Sequence, residues 1–140
     1  MKRYIRYNQD GSIAEQIETS YKKNELVVFV NNYRKEVGDG LVTFQGIPAR
    51  GDKSTRSAIA ETIQFWQELD PGQAPDTIDW EGPEEFHEIS LSTLIGLGKQ
   101  IGFHRQKTFT VKKAVIDQIN AGTITTIEEA EDAFDAGMEA

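Results

Sequence analysis

The chain predicts an α+β fold: a small N-terminal antiparallel β module followed by a helical module of about three helices, one of them long. Three observations predict it. Alternating runs and Asp-Gly turn dipeptides are confined to the residues before Gly46. Apolar residues at three- and four-residue spacing take over after Pro48. The longest such stretch, residues 90–122, contains no proline.

Residues 4–7 alternate, Asp10-Gly11 is a turn dipeptide, and residues 12–17 resume the alternation. The chain is therefore expected to open on a hairpin in which Ile5 and Tyr7 face Ile13 and Ile17. Residues 21–25 are polar and connect. The β-branched run Leu26-Val27-Val28-Phe29-Val30 reads as a central strand, with residues 31–37 partly extended after it. Asp39-Gly40 is a second turn, and residues 41–45 are the last strand. Four short strands make one small sheet, which needs something packed on one face to be stable.

Residues 46–53 break the pattern at Pro48, Gly51 and Asp52 and are expected to link two domains, 1–46 and 47–140. Asp52 or Ser54 then caps a helix running to about Leu69, with Ile59, Ile63, Phe65, Trp66 and Leu69 as its apolar stripe, and Asp70-Pro71-Gly72 ends it. Residues 70–88 carry seven acids and no Lys or Arg. They read as a loop with extended pieces at 77–80 and 85–89.

Ser90 is placed to cap the long helix and Gly122 to end it in a left-handed turn. Unbroken, it would run roughly 29 residues, or ~43 Å. Its apolar face is expected to hold Leu91, Leu94, Ile95, Gly98, Ile101, Arg105, Phe109, Val115, Ile116 and Ile119. Thr125 with Glu128 reads as a capping box for a last helix to about Met138, with Ile127, Ala130 and Phe134 inward.

The net charge of −8 is uneven. Residues 1–56 carry ten Lys+Arg against seven Asp+Glu, and residues 57–140 five against sixteen. Such a chain is a poor general binder of nucleic acid, since phosphate contacts need cations. No apolar run reaches the ~18–20 residues of a membrane span, and no signal peptide is expected. The absence of cysteine excludes disulfides and thiolate metal sites.

His104-Arg105-Gln106 is the most tempting catalytic constellation, but residues 99–113 contain no acid to partner the imidazole. His104 therefore reads as structural. His87 with Glu84, Glu85 and Glu88 has the atoms of a metal site and the composition of a solvated loop, and the solvated reading prevails. Trp80 reads chiefly as a plug at the core edge. No catalytic, cofactor-binding or metal-ligating residue is assigned. Gly96, Gly98 and Gly102 cost a helix roughly 1 kcal/mol each relative to Ala, which close approach of another backbone would offset. That backbone is the preceding helix, a second copy of the chain, or neither, if the helix breaks there.

The order and spacing of Gly51-Asp52-Lys53-Ser54-Thr55-Arg56, Ile78-Asp79-Trp80, Gly102-Phe103-His104-Arg105-Gln106, Phe109, the block from Ala121-Gly122-Thr123 through Thr126-Ile127-Glu128-Glu129, and Phe134 resembles a domain of unknown function found in tailed-phage proteins, typically encoded beside tail fibres. The resemblance covers about residues 46–136. Tyr7-Asn8-Gln9-Asp10-Gly11-Ser12-Ile13 and Asp39-Gly40-Leu41-Val42 are similar to motifs of small β modules in phage tail-associated proteins, the second departing by one missing residue. What the resemblance implies is a non-enzymatic tail or tail-fibre component acting by protein–protein contacts, with an assembly chaperone as the alternative and a small phage enzyme as a remote one. Expected partners are tail or tail-fibre proteins, or copies of the chain, with no nucleic acid and no membrane. The protein would be made in the host cytoplasm and reside in the virion tail. The expected interface residues are Gly98, Gly102, Arg105, Phe109 and Trp80.

Overall fold

Six strands and four helices follow one another in the described residues: Lys2–Tyr7 (β1), Ile13–Thr19 (β2), Lys23–Gly38 (α1), Leu41–Phe44 (β3), Ile47–Arg50 (β4), Lys53–Gln67 (α2), Ile78–Glu81 (β5), Phe86–Ile89 (β6), Leu91–Ala121 (α3) and Ile127–Glu139 (α4). The fold is α+β, as expected. The computed structural model describes residues 2–7, 9–10, 13–19 and 22–140, and for β1 and β2 the backbone alone. The strands form three separate antiparallel ribbons, β1–β2, β3–β4 and β5–β6, rather than the single four-stranded sheet expected. In the first ribbon Tyr7 pairs with Ile13, and Ile17 pairs with Tyr4. The expected facing of the Ile5, Tyr7, Ile13 and Ile17 side chains lies outside the described residues, as does Gly11 of the first turn.

The largest correction falls on residues 26–37, which are helical and not extended. Leu26, Val30, Arg34 and Gly38 are the buried positions of α1, four residues apart. That is a helical period, and it outweighs the strand preference of Val27, Val28 and Val30. Val28 lies 58% exposed on the opposite side.

The expected linker is also ordered structure. Val42 pairs with Ala49, Thr43 with Pro48 and Phe44 with Ile47. Gln45 and Gly46 between them both have positive φ, 52° and 77°, which defines a two-residue type I′ turn. With a loop of that length the Thr43–Pro48 pair exchanges no ladder hydrogen bonds, so proline removes none.

The backbone divides into two compact units, one of residues 1–34 and 109–140, the other of residues 35–108. The divisions fall inside α1 and α3. In the second unit Ala49, Ile59, Trp80, Ile89, Leu94, Leu97 and Ile101 form the core, with Phe44 and Ile63 packed against it. In the first unit, Phe134 of α4 is fully buried, with the Tyr33 ring edge-on at 5.3 Å and Phe29 stacked on Tyr33 at 5.6 Å. The Tyr33 hydroxyl donates to Asp135 Oδ1 at 2.6 Å.

Helix α3 runs unbroken for 31 residues, ~46 Å. Ser90 Oγ accepts from the Thr93 N–H at 3.2 Å. At the other end Gly122 has φ of 80°. Its N–H reaches the Ile119 carbonyl and that of Thr123 the Gln118 carbonyl, a Schellman closure. The buried face is offset from the expected one. Leu94, Leu97, Ile101, Thr108, Val111, Val115 and Ile119 are buried, whereas Phe109 is 41% exposed. The spacings are three, four, seven, three, four and four, and Thr108 continues the stripe two turns beyond Ile101. Thr108 is admissible in the core because its hydroxyl donates to the Arg105 carbonyl at 2.6 Å.

Helix α2 ends at Gln67, and its Phe65 is 65% exposed, not part of the apolar stripe. Residues 59, 63 and 66 keep to one face, and position 65 falls on the other. The N-cap of α4 is Thr126, one residue later than expected. Thr126 Oγ1 accepts from the Glu129 N–H at 3.1 Å, because Thr-x-x-Glu occurs twice in succession.

At the start of α2, Asp52 Oδ1 accepts from the Thr55 N–H at 2.9 Å. Hydrogen bonding from the Thr55 side chain, then from its backbone, with Arg50 and Arg56 nearby, holds the Asp52 carboxyl below its ordinary range. A depressed carboxyl pKa contributes stability above the unfolded-state value and loses it as pH falls through the folded-state value. Asp52→Ala is expected to cost about 1 kcal/mol at neutral pH. Asp52→Asn keeps a capping oxygen, so its deficit should be present above about pH 4 and fade below that. Denaturant titrations at about pH 7 and about pH 2 check this.

Candidate functional site

The described feature best shaped to receive a partner is a groove between α2 and α3, about 430 Å³ in volume. One wall comes from α2, where Arg56, Ala60, Ile63 and Gln67 recur at helical spacing beside the core stripe. The other comes from α3, with Ile95, Gly98, Lys99 and Gly102. Gly98 and Gly102, both expected interface residues, therefore share this site. Arg105, Phe109 and Trp80 do not line it.

The three glycines of α3 prove different in kind. A Cβ at Gly96 would run into the Phe44 ring. A Cβ at Gly98 would stand 3.2 Å from Ile59 Cγ2, so this glycine lets α2 and α3 approach within the chain. A Cβ at Gly102 meets nothing within 4 Å. Internal packing accounts for Gly96 and Gly98 but not for Gly102, which faces solvent. Phe103, 68% exposed, lies four residues beyond Lys99 on the same edge of α3.

The charges that line the groove are of one sign. Arg56 and Lys99 are its charged lining residues. The Arg56 Nη1 donates to the Gly51 carbonyl at 2.7 Å, which fixes the guanidinium at the entrance of α2. No ion pair involves Lys99 among the described residues. The α3 segment of residues 91–106 contains no acid. Glu61 of α2 and Glu68, the residue that caps its C-terminus, are exposed, and Glu61 falls on a face turned away from Arg56, Ala60 and Ile63.

The other sequence candidates have structural employment. Trp80 is 8% exposed, a member of the core, with its indole nitrogen buried and unpartnered. Phe109 carries the Arg34 guanidinium over its ring at 4.2 Å, a cation–π contact. Arg34 itself is 7% exposed, so one face of the Phe109 ring is covered by a buried cation. Arg105 is half-buried and its carbonyl receives the Thr108 hydroxyl.

His104 Nε2 lies 2.8 Å from the Val37 carbonyl. A carbonyl only accepts, so Nε2 carries the proton and closes the last turn of α1. In the acidic ribbon His87 Nε2 is 3.9 Å from Glu85, too far for a hydrogen bond. Among the described residues no group of three or more His, Cys, Asp or Glu is placed to hold a metal ion. No described helix is long and apolar enough to cross a membrane.

Sequence reading missed Arg56, Ala60 and Ile63 as groove residues. The signal was a second stripe on α2, small or apolar at positions 60 and 63 and adjacent to the stripe of 59 and 66.

Fold and groove together define a small α+β protein built from helices and two-stranded ribbons, with an apolar cleft between two of its helices. The chain belongs to the family described as Domain of unknown function (DUF4376), which matches residues 22–136. No curated protein and no solved structure matches it.

Proposed function

We propose that this protein is a non-enzymatic, protein-binding component of a bacteriophage tail or tail fibre, and that the α2–α3 groove is its contact surface. The observation that carries the binding role is the open apolar cleft bordered by Gly102, a helix glycine with no internal neighbour. Gly in a helix interior is unfavourable by roughly 1 kcal/mol, and a docked partner gives it a use. Helix-lined apolar clefts of this kind receive amphipathic segments in other proteins. The tail context is supported by the resemblance through Gly51-Asp52-Lys53-Ser54-Thr55-Arg56, Gly102-Phe103-His104-Arg105-Gln106 and the block around Gly122.

Mass spectrometry of purified particles tests the reading. The expected result is the chain at a fixed ratio to the tail proteins. Its presence in infected cells and absence from finished particles would make it a removable assembly factor. Its absence from both particles and assembly intermediates would end the tail reading.

A further inference from the structure

We infer that the occupant of the α2–α3 groove is an acidic amphipathic helix of another protein, with small and aliphatic residues on its buried face and carboxylates along its flanks. This rests on the reading of the groove as a protein contact surface and adds the chemistry of what fills it.

The shape argument starts from the lining. Ile59, Ile63 and Ile95 give apolar walls, while Ala60, Gly98 and Gly102 add nothing larger than a methyl group to the lining. Apolar walls around a bare strip let a helix backbone come close and bury a row of its own side chains. Phe103, exposed one turn beyond Lys99, extends the apolar edge in the direction such a helix would run.

The charge argument selects the occupant. The cleft has one cation on each wall, Arg56 on α2 and Lys99 on α3, and no lining acid. This is the reverse of the chain as a whole, which carries −8. Arg56 also feels Asp52 at the helix start, whereas Lys99 is exposed. A helix in the cleft would present its two flanks to Arg56 and Lys99 at once, and carboxylates there would be matched. A second copy using the same face is disfavoured by the same charges. A two-fold contact sets the same patch against itself, so the Arg56 and Lys99 of both copies would be gathered at one interface with no lining acid to match them.

The test uses the whole protein and two synthetic, lactam-stapled helical peptides of about 14 residues. One carries Leu and Ala on one face and Glu on both flanks, and the other has Lys in place of every Glu. Fluorescence anisotropy at low salt is expected to show the Glu peptide binding at least about tenfold tighter than the Lys peptide, with the preference shrinking in high salt. Lys99→Glu should reduce the preference.

Gly102→Leu should abolish binding of the Glu peptide while melting no lower than the parent protein, because the new Cβ meets nothing within 4 Å and leucine favours the helix over glycine. Gly102→Ala should raise the melting temperature by about 3 °C and still weaken binding. Equal affinity for both peptides, no binding of either, or full binding by Gly102→Leu would overturn the inference. So would a concentration-dependent dimer in sedimentation that Gly102→Leu abolishes, since the occupant would then be a second copy. None of these outcomes depends on whether the chain is found in particles, so each proposal fails separately.

Discussion

Phe134→Ala is expected to destabilise the protein by about 3–5 kcal/mol. The ring is fully buried in α4. Its edge contact to Tyr33 helps hold the Tyr33–Phe29 stack in place. Truncation leaves an aromatic-sized void, and refilling it would require Tyr33 to swing inward and give up its 2.6 Å hydrogen bond to Asp135. A domain of ordinary stability has about 5–15 kcal/mol in total, so the variant should unfold at a much lower urea midpoint. The check is a urea titration followed by circular dichroism. A loss below about 1 kcal/mol would mean the ring is not packed as described.

Gly96→Ala should cost about 1–3 kcal/mol, although the same change at an open helix position would stabilise by nearly 1 kcal/mol. The reversal comes from the Phe44 ring, which occupies the place of the new methyl group. Phe44 is held in the turn-bounded ribbon β3–β4 and packs on the core, so it has little room to retreat. The coupling can be measured. In a double-mutant cycle, Gly96→Ala should be much less costly when Phe44 is already alanine. Strict additivity would show that the two residues do not meet.

These outcomes bear on what the sequence could reveal. Both ends of α3 were legible because Ser90 and Gly122 act within one turn of chain. The α+β class was legible for the same reason, since it needs only periods and turn residues. α1 was not, because Val27, Val28 and Val30 favour strand locally while the Leu26–Val30–Arg34 period needs partners to prevail. The turn at Gln45-Gly46 was obscured because Gln is an unusual residue at positive φ. The groove was the least legible feature. Gly98 and Gly102 look alike in sequence, and only the position of Ile59 separates a glycine that fits α2 from one that faces outward.

One further property follows from the ribbons. With only two strands in each described sheet, every strand is an edge, able in principle to template pairing with another chain. β4 meets this with Pro48, which has no N–H to offer outward. In β5–β6, Asp79 stands directly across from Glu88, with Glu81 two residues along on the same face, all three exposed. Facing carboxylates weaken their own ribbon, and Thr77 offsets part of that by donating to Glu88 at 2.8 Å. The return is kinetic safety at high concentration: an incoming strand finds a row of negative charge where it would need to lie flat.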